Sequence, residues 1–205
     1  MKLYVLNNSE QAPNGAVDIN VTSRSTGWSR GLSPFIITGG PVWTGDYAQN
    51  VENLWQYSKV YKCHVDSNNE PTDEWYKWAK AGWNTKAGVR YPMGRDAKPL
   101  YSYWNKKKYD YLEAKEKLYI RMYFRSVRLT DAYKRLEALY QDCKVKNIDL
   151  VLRDFDAYNH IKLNMTPHDV MRSPNKKFGH GFVLMFMLLD LLDDKGNMKK
   201  EKSIF

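Results

Sequence analysis

The stretch from Asn50 to Tyr61 places side chains that could do chemistry at a helical spacing. If the stretch is a helix, Glu52, Trp55, Gln56 and Lys59 fall at i, i+3, i+4 and i+7 and share one face. A carboxylate, an indole, an amide and an ammonium on one face suit the wall of a pocket that binds a small molecule. The alternative is a half-buried helix with a solvated Glu52 and Lys59 and with Trp55 in the core.

A second candidate is the pair Asp154 and Asp156, which follows the apolar run 148–152. That run predicts a strand, and carboxylates two residues apart on a strand point the same way. One of them could stabilise a developing charge while the other acts as a base. The alternative is that either acid forms an ion pair with Arg153 or a hydrogen bond within a turn.

The third candidate is Gly179-His180-Gly181, which precedes the apolar helix predicted over 182–192. Glycines at this position expose the first N–H groups of the helix, which favours an anion, and Lys176 and Lys177 lie beside them. The pattern indicates phosphate or pyrophosphate binding. A loop with glycines for tight packing is the alternative, and the motif is neither a dinucleotide fingerprint nor a Walker A loop.

Composition indicates a folded, strongly basic protein. The chain has 205 residues, 43% of them hydrophobic and 14% aromatic, with a net charge of +9. A field of that sign attracts phosphorylated ligands and nucleic acid, and the basic, aromatic segment 83–108 is typical of such partners. Cys63 and Cys143 have no metal-ligand spacing with the four histidines, so we expect neither a metal nor a cofactor.

We expect a cytoplasmic protein without a membrane partner. The first six residues are too short an apolar run for a signal peptide, and the longest apolar run, 182–189, is too short to span a bilayer. Strands precede helices, and a strand and a buried helix close the chain. This order predicts a single α+β domain over 1–192, a small mixed sheet packed with several helices, followed by a charged tail at 193–205 that frays. Helices are expected over 50–61, 72–82, from 110, over 131–143, from 166 and over 182–192, and strands over 3–6, 17–21, 35–37 and 148–152.

Several short motifs, in this order, resemble the NADAR (NAD- and ADP-ribose-associated) N-glycosidase family. The resemblance covers residues 32–192 and is carried by Leu32-Ser33-Pro34-Phe35, Gly40-Pro41, Val51-Glu52-Asn53 with Gln56 and Lys59, Met93-Gly94-Arg95, Trp104, and Gly179-His180-Gly181 leading to Leu184-Met185. Asn53 stands where the family has His, and Pro34 stands where it has Asn.

This resemblance implies a NADAR-like α+β domain that cleaves C–N glycosidic bonds without a required metal. The substrates it implies are a pyrimidine linked to ribose phosphate and ADP-ribose attached to guanine. By position, Glu52 matches the family's helix Glu, Gln56 and Lys59 match the Gln and Lys that follow, and Asp154 or Asp156 matches its later acid.

The working hypothesis is therefore an N-glycosidase acting on a phosphorylated nucleoside or an ADP-ribose-bearing base, possibly on nucleic acid. Glu52 or Asp156 would stabilise the ribosyl cation, and Lys59 would hold phosphate or assist the leaving group. The predicted substrate-binding residues are Trp55, Gln56, Asp154, Phe35, Arg95, Trp104, Lys176, Lys177, Gly179, His180 and Gly181. The alternatives are a protein that binds nucleotides or nucleic acid without catalysis, and an enzyme that transfers a sugar or base on modified DNA.

Overall fold

Residues 1–200 are described by a computed structural model. The strands are β1 Leu3–Leu6, β2 Val17–Asn20, β3 Gly40–Pro41, β4 Tyr47–Ala48, β5 Lys59–Val60, β6 Tyr101–Trp104, β7 Lys107–Tyr109 and β8 Leu150–Arg153. The helices are α1 Val51–Gln56, α2 Asp73–Trp83, α3 Tyr111–Ala114, α4 Arg121–Val127, α5 Asp131–Lys146, α6 Pro167–Arg172 and α7 His180–Leu188. A π-helical stretch, Lys115–Ile120, joins α3 to α4, and 3₁₀ turns lie at Trp28–Leu32 and Lys62–His64.

A three-stranded parallel sheet in the order β1-β8-β2 carries the main core. Strand β8 is central, with Leu150 opposite both Leu3 and Val17. Strand β1 is buried throughout and β8 is buried up to Leu152, as expected of parallel strands covered on both faces. Helix α7 packs against β1, and all nine of its residues are buried. A helix that is apolar all round belongs in a protein interior.

The second core is an aromatic cluster built on α2 and the β6–β7 hairpin, with Trp75, Trp83 and Tyr103 buried at its centre. The basic, aromatic segment 83–108, for which no strand or helix is expected from the sequence, therefore contains strands after residue 100. Asn105 and Lys106 both have positive φ, 48° and 62°. Such a two-residue turn matches the twist of a hairpin, but it usually contains glycine, which is missing here.

The helix predicted over 50–61 is shorter than expected. Asn50 caps α1 by accepting a hydrogen bond from the Asn53 N–H at 2.8 Å, and the helix ends at Gln56. Lys59 then pairs with Ser102 of β6, and the Trp75 Nε1 donates to the Lys59 carbonyl at 2.9 Å. These tertiary contacts override the local helical pattern.

Three other helix starts are confirmed with their capping residues. Asp110, Thr130 and Thr166 each accept a hydrogen bond from a backbone N–H of the first turn. Residues 35–37 form a turn rather than the predicted strand. The fold class is confirmed: residues 1–200 form a single α+β domain.

The segment 193–205 is predicted to fray, but its first residues are held by hydrogen bonds. Leu192 bridges to Met198, the Lys199 N–H donates to the Leu191 carbonyl at 2.8 Å, and the Asp193 carboxylate accepts from the N–H groups of Lys195 and Asn197. Residues 201–205 lie outside the described part of the chain. No helix within residues 1–200 combines the length and the apolar character that crossing a bilayer requires.

Candidate functional site

Two adjoining cavities lie between α1, the start of α7 and the end of β8. The first, which we name the acid cavity, measures about 270 Å³. Glu52, Asp154 and Asp156 all line it, so the two carboxylate candidates of the sequence share one concavity. Its other walls include Thr22, Ser23, Arg24, Ser33, Pro34, Phe35, Trp55, Gln56, Arg90, Tyr119, Phe155, Phe178, Gly179 and His180.

Glu52 lies in the first turn of α1 and is only 6% exposed. Its Oε1 accepts a hydrogen bond from Gln56 Nε2 at 2.8 Å, one helical turn later. Burial raises the pKa of Glu52, and the Gln56 hydrogen bond and the charges of Lys59 and Arg90 reduce that rise without cancelling it. Glu52 is therefore a carboxyl group in a dry wall with a neutral amide as its hydrogen-bond partner.

Lys59 reaches the same group of residues although it lies on β5 and not on the helix. Its Nζ donates to Gln56 Oε1 at 2.7 Å and lies 5.0 Å from the centre of the Trp55 ring. Burial lowers the pKa of Lys59 to about 8, against the opposing influence of Glu52 and Asp156. The amide of Gln56 thus connects the carboxyl of Glu52 to the ammonium of Lys59.

Trp55 forms a wall shared by the acid cavity and its neighbour. Its ring packs against Tyr119 with 5.2 Å between ring centres, at an angle of 55°. Trp55 is predicted to bind substrate as part of a pocket wall. Because Tyr119 and the Lys59 ammonium already contact the ring, Trp55 is held in place as a wall of both cavities.

The carboxylate of Asp154 binds other groups of the protein. Its Oδ2 accepts from the Gly181 N–H at 2.9 Å and from His180 Nδ1 at 3.1 Å, while His180 Nε2 donates to the Val21 carbonyl at 2.8 Å. Both ring nitrogens of His180 therefore act as donors, which requires the charged imidazolium. Burial opposes both charges, but the pair lowers the pKa of Asp154 and raises the pKa of His180.

The Gly179-His180-Gly181 turn is predicted to bind phosphate, but it binds the carboxylate of Asp154 instead. The Gly181 N–H is already bound to Asp154, and His180 is buried against the same carboxylate. A Cβ on Gly179 would lie 2.1 Å from the Asp154 Oδ2. The glycine makes room for an internal carboxylate, so tight packing, the alternative interpretation, describes this turn.

Asp156 is half-buried and forms a salt bridge with Arg90. Neither carboxylate after β8 pairs with Arg153, which binds Asp18 instead at 2.7 Å. Asp154 and Asp156 thus have different environments: the first is buried against His180, and the second faces the cavity beside a guanidinium.

Asn53 holds the loop that carries Arg90. Its Nδ2 donates to the carbonyls of Thr85 and Ala87 at 2.8 and 2.9 Å, and its Oδ1 accepts from the Val89 N–H at 2.8 Å. These three hydrogen bonds satisfy a fully buried amide. Asn53 is therefore a structural residue that holds the loop carrying Arg90.

A second cavity of about 230 Å³, which we name the cation cavity, shares Trp55, Gln56, Arg90, Tyr119, Asp156 and Phe178 with the acid cavity. Its charged lining consists of one acid, Asp156, and four cations: Lys59, Arg90, Lys115 and Lys177. Such an excess of positive charge in a confined space favours an anion.

Lys115 is the most unusual of these cations because it is only 1% exposed. Its Nζ donates to the Ser173 carbonyl at 2.8 Å and lies 5.4 Å and 5.0 Å from the ring centres of Tyr111 and Phe178. Burial lowers its pKa to about 8. It begins the π-helical stretch, an irregularity that is frequent at functional sites.

Four residues predicted for the site line neither cavity: Arg95, Trp104, Lys176 and Gly181. Arg95 lies over the Tyr91 ring, 5.8 Å from its centre, and Lys176 lies over Tyr158 at 5.5 Å. Trp104 belongs to the aromatic cluster and lines a separate groove. Of the predicted substrate-binding residues, Phe35, Asp154, Gly179 and His180 line the acid cavity, Lys177 lines the cation cavity, and Trp55 and Gln56 line both.

Sequence reasoning missed Arg90, Lys115, Tyr119 and Phe178. Arg90 and Asp156 are 66 residues apart, and no periodicity links them. Within residues 1–200, no group of three or more His, Cys, Asp or Glu is arranged to hold a metal ion.

Comparison with known proteins gives no relative from which a function could be transferred. The chain matches no known protein family, no curated protein and no solved structure.

Proposed function

We propose that the protein is an N-glycosidase that hydrolyses the bond between a ribose and a base, with Glu52 as the catalytic carboxylate. One observation carries the proposal: Glu52 is a buried carboxyl on a cavity wall whose hydrogen-bond partner, Gln56 Nε2 at 2.8 Å, is neutral. The other two carboxylates of the acid cavity are neutralised, Asp154 by His180 and Asp156 by Arg90. Glu52 is left to interact with a charge on the substrate.

Hydrolysis breaks the bond between C1 of the ribose and the base nitrogen and forms a bond from C1 to the oxygen of water. One proton of the water ends on the departing base and the other stays on the new hydroxyl. Positive charge develops on C1 and the ring oxygen as the old bond stretches. A carboxylate fixed in a dry wall stabilises that charge more strongly than one in water, because the local dielectric constant is low.

The cation cavity supplies a place for the phosphoryl group of the substrate. Lys59, Lys115 and Arg90 direct positive charge into it, and none of the three side chains is fully exposed to solvent. Charge-assisted hydrogen bonds to phosphate oxygens are stronger than neutral ones. Binding energy from this remote group would hold C1 beside Glu52.

The base fits the apolar part of the acid cavity. Phe35, Phe155 and Phe178 line it, and the Arg24 guanidinium lies 5.0 Å from the centre of the Phe155 ring. Aromatic rings with a few polar groups are typical of sites that bind flat heterocycles. This arrangement agrees with a ribosylated, phosphate-bearing base as substrate, the class that the NADAR resemblance implies.

The test is to incubate the protein with ADP-ribosylated guanosine and with an ADP-ribosylated DNA oligonucleotide, and to measure released base and ADP-ribose by mass spectrometry. We expect release by the unmodified protein and a loss of about 10²–10³-fold in Glu52→Gln, because the variant keeps the acceptor oxygen for Gln56 but loses the charge. The matched control is Glu137→Gln, the same change at an exposed position of α5, which should keep full turnover.

Equal turnover in Glu52→Gln and Glu137→Gln would remove Glu52 from the mechanism. Saturable binding of these substrates without any released product would contradict hydrolysis and support a binding protein. Appearance of the sugar or base on a second nucleotide, in place of water addition, would support a transferase.

A further inference from the structure

A basic groove lies apart from the two cavities, between α4 with the preceding π-helical stretch, the β6–β7 hairpin and the turn after residue 192. It measures about 520 Å³. Its charged lining has a single acid, Asp194, and six cations: Lys107, Lys117, Arg121, Arg125, Arg128 and Lys195. None of these residues lines the acid cavity or the cation cavity.

Four of the cations form a row along the helical rod. Arg121, Arg125 and Arg128 are separated by four and three residues, which places them on one face of α4, and Lys117, in the π-helical stretch before α4, lines the same groove. At a rise of about 1.5 Å per residue the row is about 16 Å long. Like charges at a spacing of four residues repel each other, each pair costing about 0.2–0.5 kcal/mol, so the row lowers the stability of its own helix.

The row keeps free charge at its centre. Arg121 and Arg125 are exposed, and neither forms an ion pair with a carboxylate among residues 1–200. At the ends, Lys117 binds Glu113 at 2.7 Å and Arg128 donates to the Asp194 carbonyl at 3.1 Å. The two central arginines are therefore available to an external anion.

Aromatic side chains form another part of the groove. Trp104 and Tyr109, both half-buried, come from the β6–β7 hairpin. The turn between these strands, with Asn105 and Lys106 at positive φ, brings Lys107 into the same wall. Cations that follow a backbone, together with rings on which bases stack, are the combination found in grooves for single-stranded nucleic acid.

We propose that this basic groove binds single-stranded DNA or RNA, with Arg121 and Arg125 on the phosphates and Trp104 against a base. The row is long enough for a few nucleotides, and the aromatic wall favours unpaired bases over a duplex or an acidic protein. The inference stands independently of Glu52 and of the reaction proposed above.

The test measures binding of a fluorescent 20-nucleotide single strand to the full chain by anisotropy, over a series of salt concentrations. We expect Arg121→Ala/Arg125→Ala to weaken binding at least 10-fold and to reduce the slope of log affinity against log salt by about 1.4, because each phosphate contact contributes about 0.7. The matched control is Arg135→Ala/Lys144→Ala, which removes two exposed cations from α5 and should change affinity less than 3-fold. Trp104→Leu should weaken binding by about 5-fold or more without changing the slope.

An equal loss of affinity in both double variants would overturn the proposal, because net charge alone would then explain binding. Tighter binding of a duplex of the same length, or equal binding of polyaspartate, would also overturn it. Glu52→Gln should bind the single strand like the unmodified protein, so failure of the proposed N-glycosidase activity would not be mistaken for failure of the groove.

Discussion

The walls of the two cavities bury acidic and basic side chains, whereas the aromatic cluster around α2 buries no Asp, Glu, Lys or Arg. Among residues 1–200, the buried Asp, Glu, Lys and Arg side chains are Glu52, Lys115 and Asp154, and all three line a cavity. The centre of the aromatic cluster is formed by rings in edge contact, such as Trp75 and Trp83 with 6.2 Å between their centres. Both regions belong to one domain, so the difference in buried charge reflects the two regions and not two separate domains.

This difference indicates that the charged groups of the cavity walls lower the stability of the fold and serve binding. Removing a charge from water costs several kcal/mol unless an opposite charge and hydrogen bonds compensate for it. Asp154 and His180 compensate each other, but the charges of Glu52, Lys59 and Lys115 have no carboxylate or cation in direct contact. The burial of Glu52 and Lys115, and the partial burial of Lys59, are explained if a ligand supplies the missing partner.

The largest effect is expected from Asp154→Asn. The change leaves the imidazolium of His180 buried without its carboxylate and should lower the free energy of unfolding by about 3–5 kcal/mol. Urea unfolding at pH 7 measures it. Asp156→Asn is the matched control: Asp156 is half-buried and its salt bridge is partly solvated, so a loss of at most about 1 kcal/mol is expected. Equal losses at both positions would show that the Asp154 pair is not a structural ion pair.

An effect of opposite sign is expected from Lys59→Met. Because burial lowers the pKa of Lys59 to about 8, the fold holds this proton less tightly than the unfolded chain does, and at neutral pH the ammonium, which is still charged, costs stability. Removing it should raise the free energy of unfolding by about 1–3 kcal/mol and weaken binding of ADP-ribose, measured by urea unfolding and calorimetry. Trp83→Phe in the aromatic cluster should instead lower the free energy of unfolding by about 1–2 kcal/mol and leave the affinity for ADP-ribose unchanged. A destabilised Lys59→Met protein would contradict the comparison.

The smallest effect is the pH dependence that follows from Lys59. Between pH 8 and about 10.5 the unfolded chain holds the Lys59 proton and the folded protein does not, so this group makes stability rise with pH in that window. The stability advantage of Lys59→Met over the unmodified protein should therefore shrink across the window. Urea unfolding of both proteins from pH 7 to 10.5 measures the difference, and an advantage that grows with pH would exclude a lowered pKa for Lys59.

Local patterns in the sequence were sufficient for most elements of the fold. Capping residues such as Thr166, whose side chain and Asp169 form a reciprocal capping box, mark helix starts without any tertiary information. The hairpin at Asn105 and Lys106 was missed because its turn lacks glycine, and the end of α1 was missed because pairing of Lys59 with Ser102 decides it.

The candidate site could be predicted only where its residues are neighbours in sequence. Glu52, Gln56 and Lys59 are brought together by one helical turn and the strand that follows. Lys115 could not be found in this way, because the π-helical stretch changes the spacing of residues around the helix. Tyr119, in the same stretch, is buried beside Trp55.

The most direct test of the central claim is a crystal structure of the Glu52→Gln variant soaked with ADP-ribose. The account predicts the terminal ribose in the acid cavity, with its C1 facing the side chain at position 52, and phosphate oxygens within hydrogen-bond distance of Lys59 and Lys115 in the cation cavity. Ordered ADP-ribose bound elsewhere, with both cavities unfilled by ligand, would contradict it.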